Sequence, residues 1–139
     1  MKKYPNIDYS LELQSRAIES IKAGHYLEAS IIIFQLVEIF LRIGIRGFGA
    51  KVGVKDSTLT KCAEEEISFS RLTRYLDLIL PNNDISEELR ELNAERNRIM
   101  HKLFFEFTDV NTLNERLKAF CLQGVELQNK LKLLLLGEN

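Results

Sequence analysis

Tyr26-Leu27-Glu28-Ala29-Ser30-Ile31-Ile32-Ile33-Phe34-Gln35-Leu36-Val37-Glu38-Ile39-Phe40-Leu41-Arg42-Ile43-Gly44-Ile45-Arg46 is apolar around most of a helical circumference. Beyond its first turn the long polar residues Gln35, Glu38, Arg42 and Arg46 recur at steps of three, four and four, which on an α-helix is one narrow stripe. A helix that shows a single edge to water is the central helix of a bundle. Glu38 and Arg42 also stand at i, i+4, the spacing of an ion pair worth only a few tenths of a kcal/mol when exposed.

The flanking segments supply the partners of that helix. A first helix is expected from about Ser10 to Ala23, with Ser10 as N-cap and Gly24 as its stop. Residues 47–57 carry Gly47, Gly49 and Gly53 with no strand before them and no Gly-Lys-Ser/Thr ending, so they read as a flexible connector and not a phosphate-binding loop. A broken third helix follows, Thr58 to Glu66 and then Phe69 to Leu80, ended by Pro81-Asn82-Asn83. Asp84 with Glu87, and Thr112 with Glu115, have the spacing of capping boxes that open two more helices. In the last, Leu113, Leu117, Phe120, Gly124, Leu127, Leu131 and Leu134 alternate at steps of four and three. That is a packing seam, and Gly124 within it permits a close helix approach. The expectation is a single all-α domain over residues 1–139, an up-and-down bundle of four to five helices.

Composition narrows the function. A formal net charge of −1 excludes a protein that coats nucleic acid through bulk charge, so RNA binding would need a local patch such as Arg90, Arg96, Arg98 and Lys102. Cys62 and Cys121 lack C-x-x-C spacing and read as reduced thiols. The start of the chain has no apolar h-region, and the run Ile31–Ile45 is broken by Gln35, Glu38 and Arg42 and too short to span a bilayer, so a cytoplasmic protein without membrane contact is expected. His25, beside Tyr26 at a helix start, reads as a turn residue. The cysteines and the two histidines show no zinc-ligand spacing, and neither a metal nor a cofactor is expected.

The fourth helical segment carries the chemistry. Ile85, Leu89, Leu92, Ile99 and Leu103 form an apolar stripe, and the step that completes the series lands on Arg96. A guanidinium on a buried stripe must be paired or open onto a polar cleft. Asn93, Asn97 and His101, at i, i+4 and i+8, form a polar strip beside the seam, with His101 about 140° around the helix from Arg96. Histidine handles protons near neutral pH, and arginine holds phosphate oxygens through a planar fork that stays charged.

Arg96-Asn97-x-x-x-His101 resembles the R-x(4–6)-H signature of the HEPN superfamily, including the polar residue that often follows the arginine. Ala23-Gly24-His25-Tyr26-Leu27-Glu28-Ala29, leading into the helix that bears Glu38, is similar to the first helical hairpin of those domains. The resemblance implies a metal-independent endoribonuclease with its site built across a homodimer, acting on RNA as a toxin or antiviral effector that an antitoxin protein would restrain. Arg96 would hold the scissile phosphate, His101 would transfer protons and Asn97 would orient one of them. Glu38 and Arg98 are accessory candidates, although Glu38 reads more simply as the partner of Arg42. Leu103 stands where nucleotide-modified HEPN toxins usually carry a tyrosine, so the resemblance does not extend to that form of control. The alternative is a non-catalytic helical module that binds a nucleotide, RNA or a protein partner with the same polar edge.

Overall fold

The computed structural model describes residues 7–55, 57, 67–102 and 109–135. Within them are five helices and no strand: α1 (Ile7–Lys22), α2 (Tyr26–Lys51), α3 (Phe69–Ile79), α4 (Ile85–Lys102) and α5 (Val110–Leu135). They pack as an all-α bundle with α2 at its centre, in contact with α1, α3 and α5, while α4 bridges α3 and α5. The centrality of α2 follows from its composition: Ile33, Leu36, Val37, Leu41 and Ile45 are fully buried, as the near-continuous apolar circumference requires.

The α1–α2 turn forms where glycine is placed for it. Gly24 has φ +79°, its N–H donates to the Ile21 carbonyl, and the N–H of His25 donates to the Ser20 carbonyl, closing α1. His25 is the residue before α2, and its carbonyl accepts from the N–H of Ala29, so it is the turn residue expected of it. Ser10 is not a cap. α1 begins by Ile7, and Ser10 is buried within it.

The glycine-rich connector is a further correction. α2 continues to Lys51, taking Gly47 and Gly49 into the helix, and ends where Gly53 reaches φ +86° and the N–H of Val54 donates to the Gly49 carbonyl. Packing overrides local preference here, because Gly49 is buried and Phe48 half-buried, which offsets the roughly 1 kcal/mol cost of each helical glycine. The segment Thr58–Glu66 and Cys62, like Leu103 and Phe104, lie outside the described residues.

Both expected capping boxes are displaced by neighbouring side chains. Asn83, not Asp84, starts α4: its Oδ1 accepts from the N–H groups of Ile85 (3.0 Å) and Ser86 (2.8 Å), while its Nδ2 donates to the Leu80 carbonyl at 2.7 Å. Asn82, at φ +65°, makes the turn that brings Asn83 into place. Asp109, not Thr112, starts α5. Its Oδ1 accepts from the N–H of Asn111 at 3.0 Å, and its Oδ2 accepts from the Thr112 hydroxyl at 3.1 Å.

The α5 seam packs as its spacing predicts as far as Leu131 but not at Leu134. Leu117, Phe120, Leu127 and Leu131 are buried, Leu113 lies at the core edge and Leu134 projects outward. Cys121 is buried beside this seam with its thiol against the Tyr26 carbonyl (3.5 Å), and burial pushes that thiol up to about 11. It is a packing residue with no thiolate to offer at neutral pH.

Candidate functional site

The asparagine cap fixes where α4 begins, and so fixes the heights at which its later residues emerge from the bundle. Ile85, Leu89, Leu92 and Ile99 are buried along one stripe, in agreement with their periodicity. Arg96 stands on that stripe but is exposed, contrary to its expected burial. The side chain lies along the apolar surface with its guanidinium carbon 4.4 Å from the centroid of the Phe34 ring. A long stem can cover apolar area while its charged head stays in water, and the ring face attracts the cation, so no charge has to be desolvated. Phe34 is held in turn by Phe69 (centroids 4.9 Å apart) and by Phe120 (6.5 Å). Among the described residues Arg96 makes no hydrogen bond or ion pair.

Arg96 forms part of the wall of an apolar cleft of about 280 Å³ between α2, α4 and α5. Phe34, Ile99, Leu117 and Phe120 line its interior. On its rim Leu27, Ile31 and Met100 are 42%, 52% and 50% exposed, a contiguous apolar edge next to a cation.

Asn97 is not in that cleft. It lines the opposite flank of α4, together with Asn93, Arg90, Arg74, Thr73 and Ser70, in a polar cleft of about 330 Å³ between α3 and α4. The polar strip Asn93–Asn97 therefore exists, but Arg96 and Asn97 face different clefts, because adjacent residues on a helix diverge by ~100°. His101 is exposed near the end of α4, one turn beyond Asn97 on the strip side. The structure therefore brings Asn97 toward His101, and separates both from Arg96 by the width of the helix edge.

The accessory candidates are engaged elsewhere. Glu38 accepts from the Arg42 Nη2 at 3.1 Å, and the same nitrogen donates to the Ile67 carbonyl at 2.6 Å. Arg42 is only 5% exposed, so the pair holds α2 to the segment leading into α3 and is more than the exposed i, i+4 contact its spacing suggests. Glu38 lines neither cleft. Arg98 is exposed and pairs with Glu95 (3.2 Å), which also binds Arg116 (2.5 Å) and so ties α4 to α5. No group of three metal-ligating side chains occurs among the described residues.

Two features escaped the sequence reading. Phe34 as a platform under Arg96 joins residues far apart in the chain, and no periodicity within one helix encodes such a contact. Arg74, on α3, joins the polar strip of α4 only because the turn around Asn83 folds the two helices together. Ser70 and Arg74, at i, i+4 on a helix already expected, were the available signal.

Compared with known proteins, the chain matches no family model, no curated protein and no solved structure. No described helix is long and apolar enough to cross a membrane.

Proposed function

We propose that this chain is a metal-independent endoribonuclease of the HEPN type that acts as a cytoplasmic homodimer. The observation that carries the reading is the environment of Arg96: a guanidinium on an aromatic face, at the edge of a cleft, with no carboxylate partner among the described residues, on the same helix as the exposed His101. An arginine held against an aromatic ring and left without an ionic partner is suited to receive a phosphate, because its planar fork can bind two oxygens at once. His101 would take the proton from the attacking 2′-oxygen and return one to the 5′-leaving oxygen, with Asn97, one turn before it, orienting the ring. The guanidinium would offset the charge that builds on the phosphorane.

The separation of Arg96 from His101 around α4 favours a site completed by a second copy. Two protomers joined through the apolar edge of Leu27, Ile31 and Met100 would bring the Arg96 of one toward the His101 of the other. In this role the protein would be a toxin or antiviral effector, with an antitoxin protein as its natural restraint. The exposed apolar edge also favours the second reading, a binding module whose partner is another protein and whose Arg96 serves recognition alone.

Arg96→Ala separates these. The side chain is exposed and rests on the Phe34 ring, so its loss should lower the unfolding free energy by no more than about 1 kcal/mol while abolishing RNA cleavage. Mixing Arg96→Ala with His101→Ala protein should then recover part of the cleavage that neither variant has alone. A large loss of stability in Arg96→Ala would make it a structural residue, and no recovery on mixing would remove the composite site.

A further inference from the structure

The polar cleft between α3 and α4 has a composition that the nuclease reading uses only at Asn97. Beside Phe69 and Ala94 it is lined by Arg74, Arg90, Asn93, Asn97, Ser70 and Thr73, and among the described residues no carboxylate lines it. These groups are not equally available. Arg90 is bound to Asp77 and also lies 3.7 Å from Glu87, and the Thr73 hydroxyl donates to the Ser70 carbonyl at 2.7 Å. Burial of Asp77 acts to raise its carboxyl, but the nearby Ser86 hydroxyl, then the bond and charge of Arg90 and the amide of Asn83, hold it below the usual value. That carboxylate stays ionised and neutralises Arg90. Arg74 has no such partner: it is exposed and makes no side-chain hydrogen bond or ion pair among the described residues. Among the described residues, Arg74 is therefore the positive charge of this cleft that no carboxylate offsets, with Asn93 and Asn97 on the facing helix.

We infer that this cleft is a phosphate-binding site for an RNA strand, with Arg74 as its charged contact and Asn93 and Asn97 as neutral donors on the facing helix. The inference rests on the proposed nuclease reading for its choice of RNA as the source of the phosphate. A strand that crosses the outer edge of α4 would place one phosphate at Arg96 and another, farther along the strand than the adjacent one, in this cleft, on either side of a helix about 10 Å across. Such a second contact would hold the strand in register while the scissile bond reaches His101, the positioning role that backbone contacts commonly play. It would also supply local positive charge to a chain whose net charge is −1.

The test uses a fluorescent single-stranded 2′-O-methyl oligoribonucleotide, which can bind but offers no 2′-hydroxyl for attack, with adenosine monophosphate as a second probe. Arg74→Ala should raise the Kd for the oligonucleotide roughly tenfold and lower the slope of log K against log salt by about one. Arg71→Ala, also exposed on α3 but outside the cleft, should leave both unchanged. Asn93→Asp should weaken binding as well, because it puts a carboxylate where none stands. Circular dichroism on each variant separates lost binding from lost fold. Unchanged oligonucleotide affinity in folded Arg74→Ala, or a loss confined to adenosine monophosphate, overturns the inference, as does a wild-type protein that fails to bind the oligonucleotide. The nuclease reading stands or falls separately: RNA that is cleaved but held no less tightly without Arg74 sinks this site alone, and binding through Arg74 without cleavage sinks the nuclease alone.

Discussion

Gly124→Ala should destabilise the bundle, although alanine is the better helix former by about 1 kcal/mol. Gly124 lies at the close approach of α5 to α2, and a Cβ built there would fall 2.3 Å from the Cγ2 of Ile33. Ile33 is fully buried, and its branched side chain has essentially one comfortable χ1 on a helix, so it cannot swing aside. The helices must separate or the isoleucine must strain, and overpacking of that kind costs typically about 1–3 kcal/mol. Since α2 and α5 form the most extensive helix pair in the fold, the loss should appear as a lower urea midpoint with an unchanged slope. The double variant Gly124→Ala/Ile33→Ala should be more stable than the sum of the single losses, because the second change removes the clashing methyl. A Gly124→Ala protein more stable than the parent would mean that α2 and α5 are farther apart than described.

His101→Ala should lower the rate of RNA cleavage by ~10²-fold or more, the usual scale for a residue that transfers protons in the transition state. The residue is exposed near the end of α4, so helicity and unfolding midpoint should hardly change. Oligonucleotide binding should persist, since Arg96 and the α3–α4 cleft are intact. Cleavage at the parental rate would remove histidine from the chemistry and leave Arg96 as a recognition residue only.

The bundle was legible because each helix buries a face at its own period. The α5 seam from Leu113 to Leu131 and the circumference of α2 both follow from spacing alone, and Gly124 was readable as a contact point because a side chain is missing where the seam calls for one. Local starts were less legible. Asn83 and Asp84 are equally good cap types, and the choice between them depends on Asn82 adopting a positive φ, which follows from the turn and not from the cap. Glycine content points to a connector over residues 47–57, but it reports backbone preference alone, and burial of Gly49 against the bundle carries the helix on to Lys51.

The candidate site shows the same division. A helical wheel gives the angle of Arg96 but not the height at which neighbouring helices cease to cover it, so its exposure could not be read from α4. Its contact with Phe34 and the gathering of Arg74 with Asn93 and Asn97 are products of helix packing. Residue types on one helix were readable; which cleft each one faces was not.

The central claim is tested most directly by incubating the purified protein with matched single-stranded RNA and DNA in the presence of EDTA. Without a metal to generate hydroxide, the attacking group must come from the substrate, and the 2′-hydroxyl supplies it in RNA alone. The expected result is cleavage of the RNA, with a 2′,3′-cyclic phosphate on one fragment and a 5′-hydroxyl on the other, and no cleavage of the DNA. RNA left intact, or cleavage that requires a divalent metal and leaves 5′-phosphates, would contradict both the mechanism and the roles given to Arg96 and His101.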